Sequence, residues 1–224
     1  MLSIITTYAF RISFLVGISC YRKMIPTKLR LWVWFMGLGV LVDYVLLTYT
    51  DENGKPYQSL VRILYGILRP IELLVIFYLY KDKISNKYLT TFLKVICVVS
   101  IFYAIYKLFY DVNDYSSTSI FIFCGISEII IILIYFWSLL RSKEIMVLQK
   151  EPLFWIATSL LFFYSGNIIS TGFYHQINSY SKSISQSLYK LNYILNILQS
   201  LIFAYAFYIS TLKKGEHEFS FFKW

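Results

Sequence analysis

Histidine, cysteine and proline are scarce in this chain of 224 residues, at two, three and four copies, and charged residues make up only 15%. Each shortage excludes something. Cys20, Cys97 and Cys124 are odd in number, far apart and set inside apolar runs, so they read as small core hydrophobes rather than a disulfide or metal framework. His175 and His217 cannot supply a zinc site built from several histidines and acids. No HExxH and no paired acidic motif of an intramembrane protease is present. The shortage of charge excludes a water-facing globular surface, for which about 25% is usual. What the chain has instead is 58% hydrophobic and 20% aromatic residues and a mean hydropathy of +0.61. That is the composition of a membrane protein.

A bilayer span takes about 20 residues. Seven apolar stretches of that order fall at 2–20, 31–50, 59–80, 89–109, 119–140, 153–173 and 190–210. They occupy roughly 145 residues, which leaves too little chain for a soluble catalytic, nucleotide-binding or DNA-binding domain. The expected fold is all-α, a polytopic seven-span bundle over 1–210 with a short cytoplasmic tail over 211–224. The first stretch reads as a span and not as a cleavable signal, because Arg11 interrupts it and no small-residue cleavage site follows.

Basic residues predict the orientation. Arg22, Lys23, Lys28 and Arg30 follow the first span, Lys81, Lys83 and Lys87 the third, and Arg141, Lys143 and Lys150 the fifth. With Lys213, Lys214 and Lys223 in the tail, thirteen lie on one side, against Lys55, Lys182 and Lys190 on the other. The positive-inside rule then places the N-terminus outside and the C-terminus in the cytoplasm, which requires an odd number of spans. Asp51, Glu52, Asp111 and Asp114 fall in the outer connections, while Trp32, Trp34 and Trp155 are expected as anchors at the inner boundary. The net charge of +9 is thus a topology signal, with a hold on anionic lipid, and not a nucleic-acid footprint.

A weak internal repeat accompanies this order. Ser59, Leu60, Arg62, Tyr65, Leu73, Phe77 and Tyr80 in span three correspond, at an offset of 128, to Ser187, Leu188, Lys190, Tyr193, Leu201, Tyr205 and Tyr208 in span seven. Apolar helices also match by chance, so a three-plus-one-plus-three bundle with parallel halves stands beside coincidence.

Five ionisable side chains fall near mid-bilayer: Arg11, Asp43, Arg69, Glu72 and Glu128. Each costs roughly 2.5–3.5 kcal/mol there and is expected to face the bundle interior. Helical spacing groups them into stripes. Arg62, Tyr65, Arg69 and Glu72 share a face of span three, and Asn192, Asn196 and Gln199 a face of span seven. Span five offers Cys124, Glu128, Tyr135 and Ser138; span two sets Asp43 one turn from Gly39; span six adds Ser165, Gly166 and Asn167. These stripes predict a polar core opening outward, with Asp43, Asn167, Asn192 and Asn196 in its outer half. Mutual pairing is the competing reading: Arg69 with Glu72 on one helix, and Arg11 with Asp43 or Glu128. Pro70 beside Arg69 removes a backbone hydrogen bond at that depth.

No catalytic set emerges. Ser165 before Gly166 has no histidine or lysine at its depth to serve as base and reads as helix packing. Span seven lacks the lysine that a retinal Schiff base needs. The end of the chain, Phe219-Ser220-Phe221-Phe222-Lys223-Trp224, suits either the inner membrane surface or a partner's docking groove.

Pro152-Leu153-Phe154-Trp155-Ile156, running on to Tyr164-Ser165-Gly166-Asn167, resembles a pattern of small seven-span inner-membrane proteins of Bacteroidota. The basic turn after span one and Glu72 in span three fit the same pattern. The resemblance implies a bacterial inner-membrane location and a sensory setting near signalling kinases, and it supplies no activity, cofactor or site. The architecture is also similar to sugar-transporting three-plus-one-plus-three proteins. Those carry hinge prolines in several spans, whereas here only Pro70 lies inside one.

The function expected from these features is a non-enzymatic, cofactor-free sensor or receptor-like subunit that passes an extracytoplasmic signal to a protein partner. A small-solute or ion transporter, with Glu72 and Glu128 as carriers, is the first alternative. A structural subunit of an envelope complex is the second.

Overall fold

The computed structural model describes residues 2–24, 27–50, 57–110, 116–141 and 148–212. The fold is all-α. The described residues form seven long helices, α1 (Leu2–Cys20), α2 (Leu29–Thr48), α3 (Gln58–Tyr80), α4 (Lys87–Phe109), α5 (Ser116–Arg141), α6 (Pro152–Tyr180) and α7 (Lys182–Ile209). Local chemistry sets several ends. Asn86, in extended backbone, accepts the Tyr88 N–H at 2.9 Å and so caps α4. Pro152 opens α6, where its missing N–H leaves no bond unmade. Ser181, also extended, separates α6 from α7 and accepts the Ile184 N–H at 3.5 Å.

Among the described residues, five helices, α2, α4, α5, α6 and α7, contain stretches long and apolar enough to cross a membrane. The apolar stretch of α1 is shorter, Ile5–Cys20, and α3 has the length but carries Arg62, Arg69 and Glu72. Helices stand at all seven expected places. The last two run further than expected, α6 to Tyr180 and α7 from Lys182. Hydropathy falls between those limits, but falling hydropathy ends an apolar run and not a helix. The backbone keeps bonding until Ser181 leaves helical geometry.

Helices consecutive in the chain run antiparallel. Between α1 and α2, Phe10 meets Gly39, Phe14 meets Gly37 and Gly17 meets Val33. Between α6 and α7, Trp155 packs edge-on against Tyr205 and Gly166 lies against Leu195. Helices α1, α2, α3, α5, α6 and α7 close a ring in that order, with α7 back on α1 and α3 directly on α5. Helix α4 sits outside against α3 and α5. It buries only Leu93, Cys97, Ser100 and Ala104, one stripe at helical spacing. Its other faces expose Phe92, Val95, Val98, Phe102 and Tyr106, an apolar surface suited to lipid.

The ring is unevenly filled along its length. At the end carrying the basic connections the core is solid: Leu29, Ile76, Leu79, Tyr80, Ile132, Tyr135, Leu153, Ile156, Ala206 and Phe207 are all buried. The connections there are tied together. Lys28 pairs with Asp82, Lys83 lies 3.5 Å from Glu151, and the Tyr80 hydroxyl donates to the Leu153 carbonyl at 3.1 Å. Partial burial, then Lys81 and Lys83, push the Lys28 ammonium below its usual value. Trp34 and Trp155 donate their indole N–H to the Tyr21 hydroxyl and the Gln149 carbonyl, as groups at a boundary would.

Trp32 departs from the anchoring role expected of it. It is 1% exposed and stands in the core, edge-on to Phe203 at 5.4 Å. The reason is phase: Leu29, Trp32, Val33 and Met36 lie on the one face of α2 that meets the bundle.

Candidate functional site

Away from the basic end, the interior of the ring opens into a cavity of about 580 Å³. All six ring helices line it. Its outer wall is Thr6, Thr7, Asp43, Val61, Thr118, Thr171, Asn192 and Tyr193. One or two turns deeper come Phe10, Gly39, Tyr65, Leu68, Asn167 and Asn196. Arg69, Glu72, Gln199 and Ser200 form the floor, with Trp32, Phe35, Met36, Phe121, Phe163 and Phe203. Seven of the nine polar residues singled out in the sequence therefore border one space: Asp43, Arg69, Glu72, Asn167, Asn192, Asn196 and Gln199.

Arg69 organises the floor. Its Nη1 donates to Glu72 Oε2 at 2.6 Å and to the Tyr164 hydroxyl at 3.0 Å. Its guanidinium carbon lies 4.6 Å from the centre of the Phe121 ring. The expected pairing of Arg69 with Glu72 on one helix face is therefore present. Pro70 does not interrupt α3, which runs unbroken from Gln58 to Tyr80. Above the floor, the Tyr65 hydroxyl donates to Asp43 Oδ1 at 3.1 Å across the α2–α3 interface.

The amides of α6 and α7 are partly engaged. Asn167 Oδ1 accepts from Ser170 and Thr171 at 3.3 and 3.2 Å, and Asn196 Nδ2 donates to Asn192 Oδ1 at 2.7 Å. The amide nitrogens of Asn167 and Asn192 have no protein acceptor among the described residues, and both side chains border the cavity.

Two expected site residues stand elsewhere. Arg11 does not line the cavity, and no ion pair joins it to Asp43 or Glu128 among the described residues. It acts on Asp43 through space, and its Nε is buried without a partner. Glu128 is fully buried behind the floor. The Tyr164 hydroxyl is the hydrogen-bonding group beside its carboxyl, and the charges of Glu72 and Arg69 reach it. The reason is depth: the cavity closes at Phe121, two turns above Glu128 on α5, and Arg69 fills the gap between. Arg62 does not line the wall either; Val61 takes that position.

Sequence reasoning missed Tyr164 as a site residue. It is fully buried and completes the coordination of Arg69. A signal existed, since Tyr164 precedes Asn167 by three residues and shares its helix face. Ser165 is exposed and faces away, so it does not serve the helix packing expected of it; its neighbour Gly166 lies against Leu195 instead. The His175 side chain, His217 and the segment from Lys213 to Trp224 lie outside the described residues.

The ring also bears on the repeat. Mapping α1 to α5, α2 to α6 and α3 to α7 carries the ring contacts onto one another, with α1–α7 matching α5–α3. At the offset of 128, Phe35 and Phe163, Gly39 and Asn167, Asp43 and Thr171, Tyr65 and Tyr193, Leu68 and Asn196, and Glu72 and Ser200 pair up; all twelve line the cavity. At an offset of 111, Thr7 and Phe10 pair with Thr118 and Phe121, which also line it.

No family model, curated protein or solved structure matches the chain.

Proposed function

We propose that this chain is a non-enzymatic, seven-span protein of a bacterial inner membrane that binds a small ligand from the extracytoplasmic side and reports it to a protein partner. The observation that carries the reading is the unequal filling of the ring. A cavity lined by charged, amide and hydroxyl groups occupies one half, and a solid core tied by ion pairs occupies the basic half. By the positive-inside rule the basic half faces the cytoplasm, so the cavity faces out and the inner side is shut. A volume of about 580 Å³ is in the range of small-molecule sites. With no output domain in the described bundle, a signal leaves through the packing of α3, α6 and α7 to a membrane or cytoplasmic partner.

A second reading, transport of a small solute, draws on the paired lining of the two helix triplets, since rocking of parallel halves about a shared central site is one route to alternating access. Purification in mild detergent, followed by mass spectrometry of whatever accompanies the protein in stoichiometric amount, separates the two. A signalling partner is the expected result. A protein that emerges alone and drives solute uptake in proteoliposomes, with uptake lost in Glu128→Gln, would replace the receptor reading with the transporter.

A further inference from the structure

The charge inside the ring bears on what the cavity holds. Among the described residues, two acidic side chains and one basic side chain line it, Asp43, Glu72 and Arg69, giving one acid in excess. Arg69 is already paired: its Nη1 donates to Glu72 and to the Tyr164 hydroxyl, and its guanidinium carbon lies over the Phe121 ring. Among the described lining residues, an anionic ligand would therefore meet no cation that is not already paired with an acid. Behind the lining stand Arg11, whose charge reaches Asp43 without forming an ion pair, and the fully buried Glu128. Asp43 is the acid left short. Tyr65 serves one of its oxygens at 3.1 Å, the other has no hydrogen-bond partner among the described residues, and the residue lines the open space.

The rest of the lining selects among cations. Divalent ions such as calcium or magnesium need about six oxygen ligands at roughly 2.0–2.6 Å. No cluster of three or more histidine, cysteine or acidic side chains able to hold a metal exists among the described residues, and the space is far larger than one ion requires. Aromatic rings, by contrast, are abundant. Phe10 packs on Gly39, one turn from Asp43, and Phe35, Phe163 and Phe203 line the floor beyond it. Rings beside a carboxylate attract an organic ammonium both through charge and through their negative faces. We infer that the cavity takes a small organic monocation, an amine with an apolar or aromatic body, whose ammonium sits on Asp43 and whose body reaches toward Phe35 and Phe203.

This inference rests on the ligand-binding reading above, and a charge series tests the two apart. Phenethylamine, 2-phenylethanol and phenylacetate share an aromatic body and differ in charge. Each is added at millimolar concentration to the protein in lipid nanodiscs, following thermal unfolding and tryptophan fluorescence, since Trp32 lines the floor. The expected result is that only the amine raises the unfolding temperature and changes the fluorescence. Asp43→Asn should weaken it by about tenfold or more, and Asp43→Glu should keep it. The wild-type series reads the class even where a variant folds poorly. A response to the alcohol or the carboxylate equal to that of the amine overturns the cation assignment and leaves a ligand-binding cavity. No response to any of the three overturns both.

Discussion

Arg69 holds Glu72 at 2.6 Å, three residues further along α3, and the pair stands on the floor of the cavity among aromatic rings. Both side chains are largely removed from solvent, at 19% and 8% exposure. Breaking such a pair by removing one partner costs about 3–5 kcal/mol, because the survivor keeps its charge without compensation. Arg69→Met should therefore lower the unfolding temperature sharply. The double variant Arg69→Met/Glu72→Met should recover much of the loss, because it removes the orphan. Thermal unfolding in nanodiscs reads both. A single variant as stable as the parent would mean that the pair contributes no stability and that water or lipid reaches Glu72.

Gly125 on α5 is where Tyr164 of α6 comes close enough to reach Arg69. A Cβ at position 125 would stand 3.0 Å from the Tyr164 ring and 3.2 Å from Ile168. The ring is fully buried and has nowhere to go, so Gly125→Ala should cost about 1–3 kcal/mol, as overpacking does. Gly166→Ala makes a useful contrast. Its Cβ would meet the tip of Leu195 at 2.4 Å, a closer contact, but the tip of a leucine can turn away. The expected order in unfolding temperature is parent, then Gly166→Ala, then Gly125→Ala. The reverse order would show that Tyr164 yields more readily than Leu195.

Much of this arrangement was legible in the sequence because its cause is local. Steps of three and four put Arg69 with Glu72 and Asn192 with Asn196 on common faces, and polar groups in apolar helices must turn inward. What was not legible depends on how helices rotate and on how deep each position falls against its neighbours. Trp32 lies in the core because of the phase of α2, and Tyr164 matters because α5 carries glycine opposite it. Glu128 stands on the expected face of α5 but below Phe121, so it is cut off from the cavity that its spacing seemed to join. The long ends of α6 and α7 were hidden for another reason: hydropathy follows the surroundings of a helix, whereas backbone hydrogen bonding decides where it stops.

Orientation has a direct chemical test. Ser85 lies in the connection before α4 at the basic end, and Ser183 opens α7 at the opposite end; both are exposed. In a background with Cys20, Cys97 and Cys124 replaced, Ser183→Cys should react with a membrane-impermeant maleimide on intact spheroplasts. Ser85→Cys should react only after the membrane is opened. The opposite pattern would invert the bundle and turn the cavity toward the cytoplasm.

Thr171 offers a way to close the cavity without loosening the fold. It lies on the outer wall, one turn beyond Asn167, and its hydroxyl donates to Asn167 Oδ1 at 3.2 Å. Thr171→Phe places a ring in open space and not in a packed core, so the change in stability should stay within about 1 kcal/mol, the worth of the lost hydrogen bond. Thr171→Val loses the same bond and leaves the space open. If the cavity is where a ligand acts, Thr171→Phe should remove the response to the added amine while Thr171→Val retains it, at similar unfolding temperatures. Equal loss in both variants would trace the effect to the hydroxyl on Asn167. Retention in both would place the binding site outside this cavity.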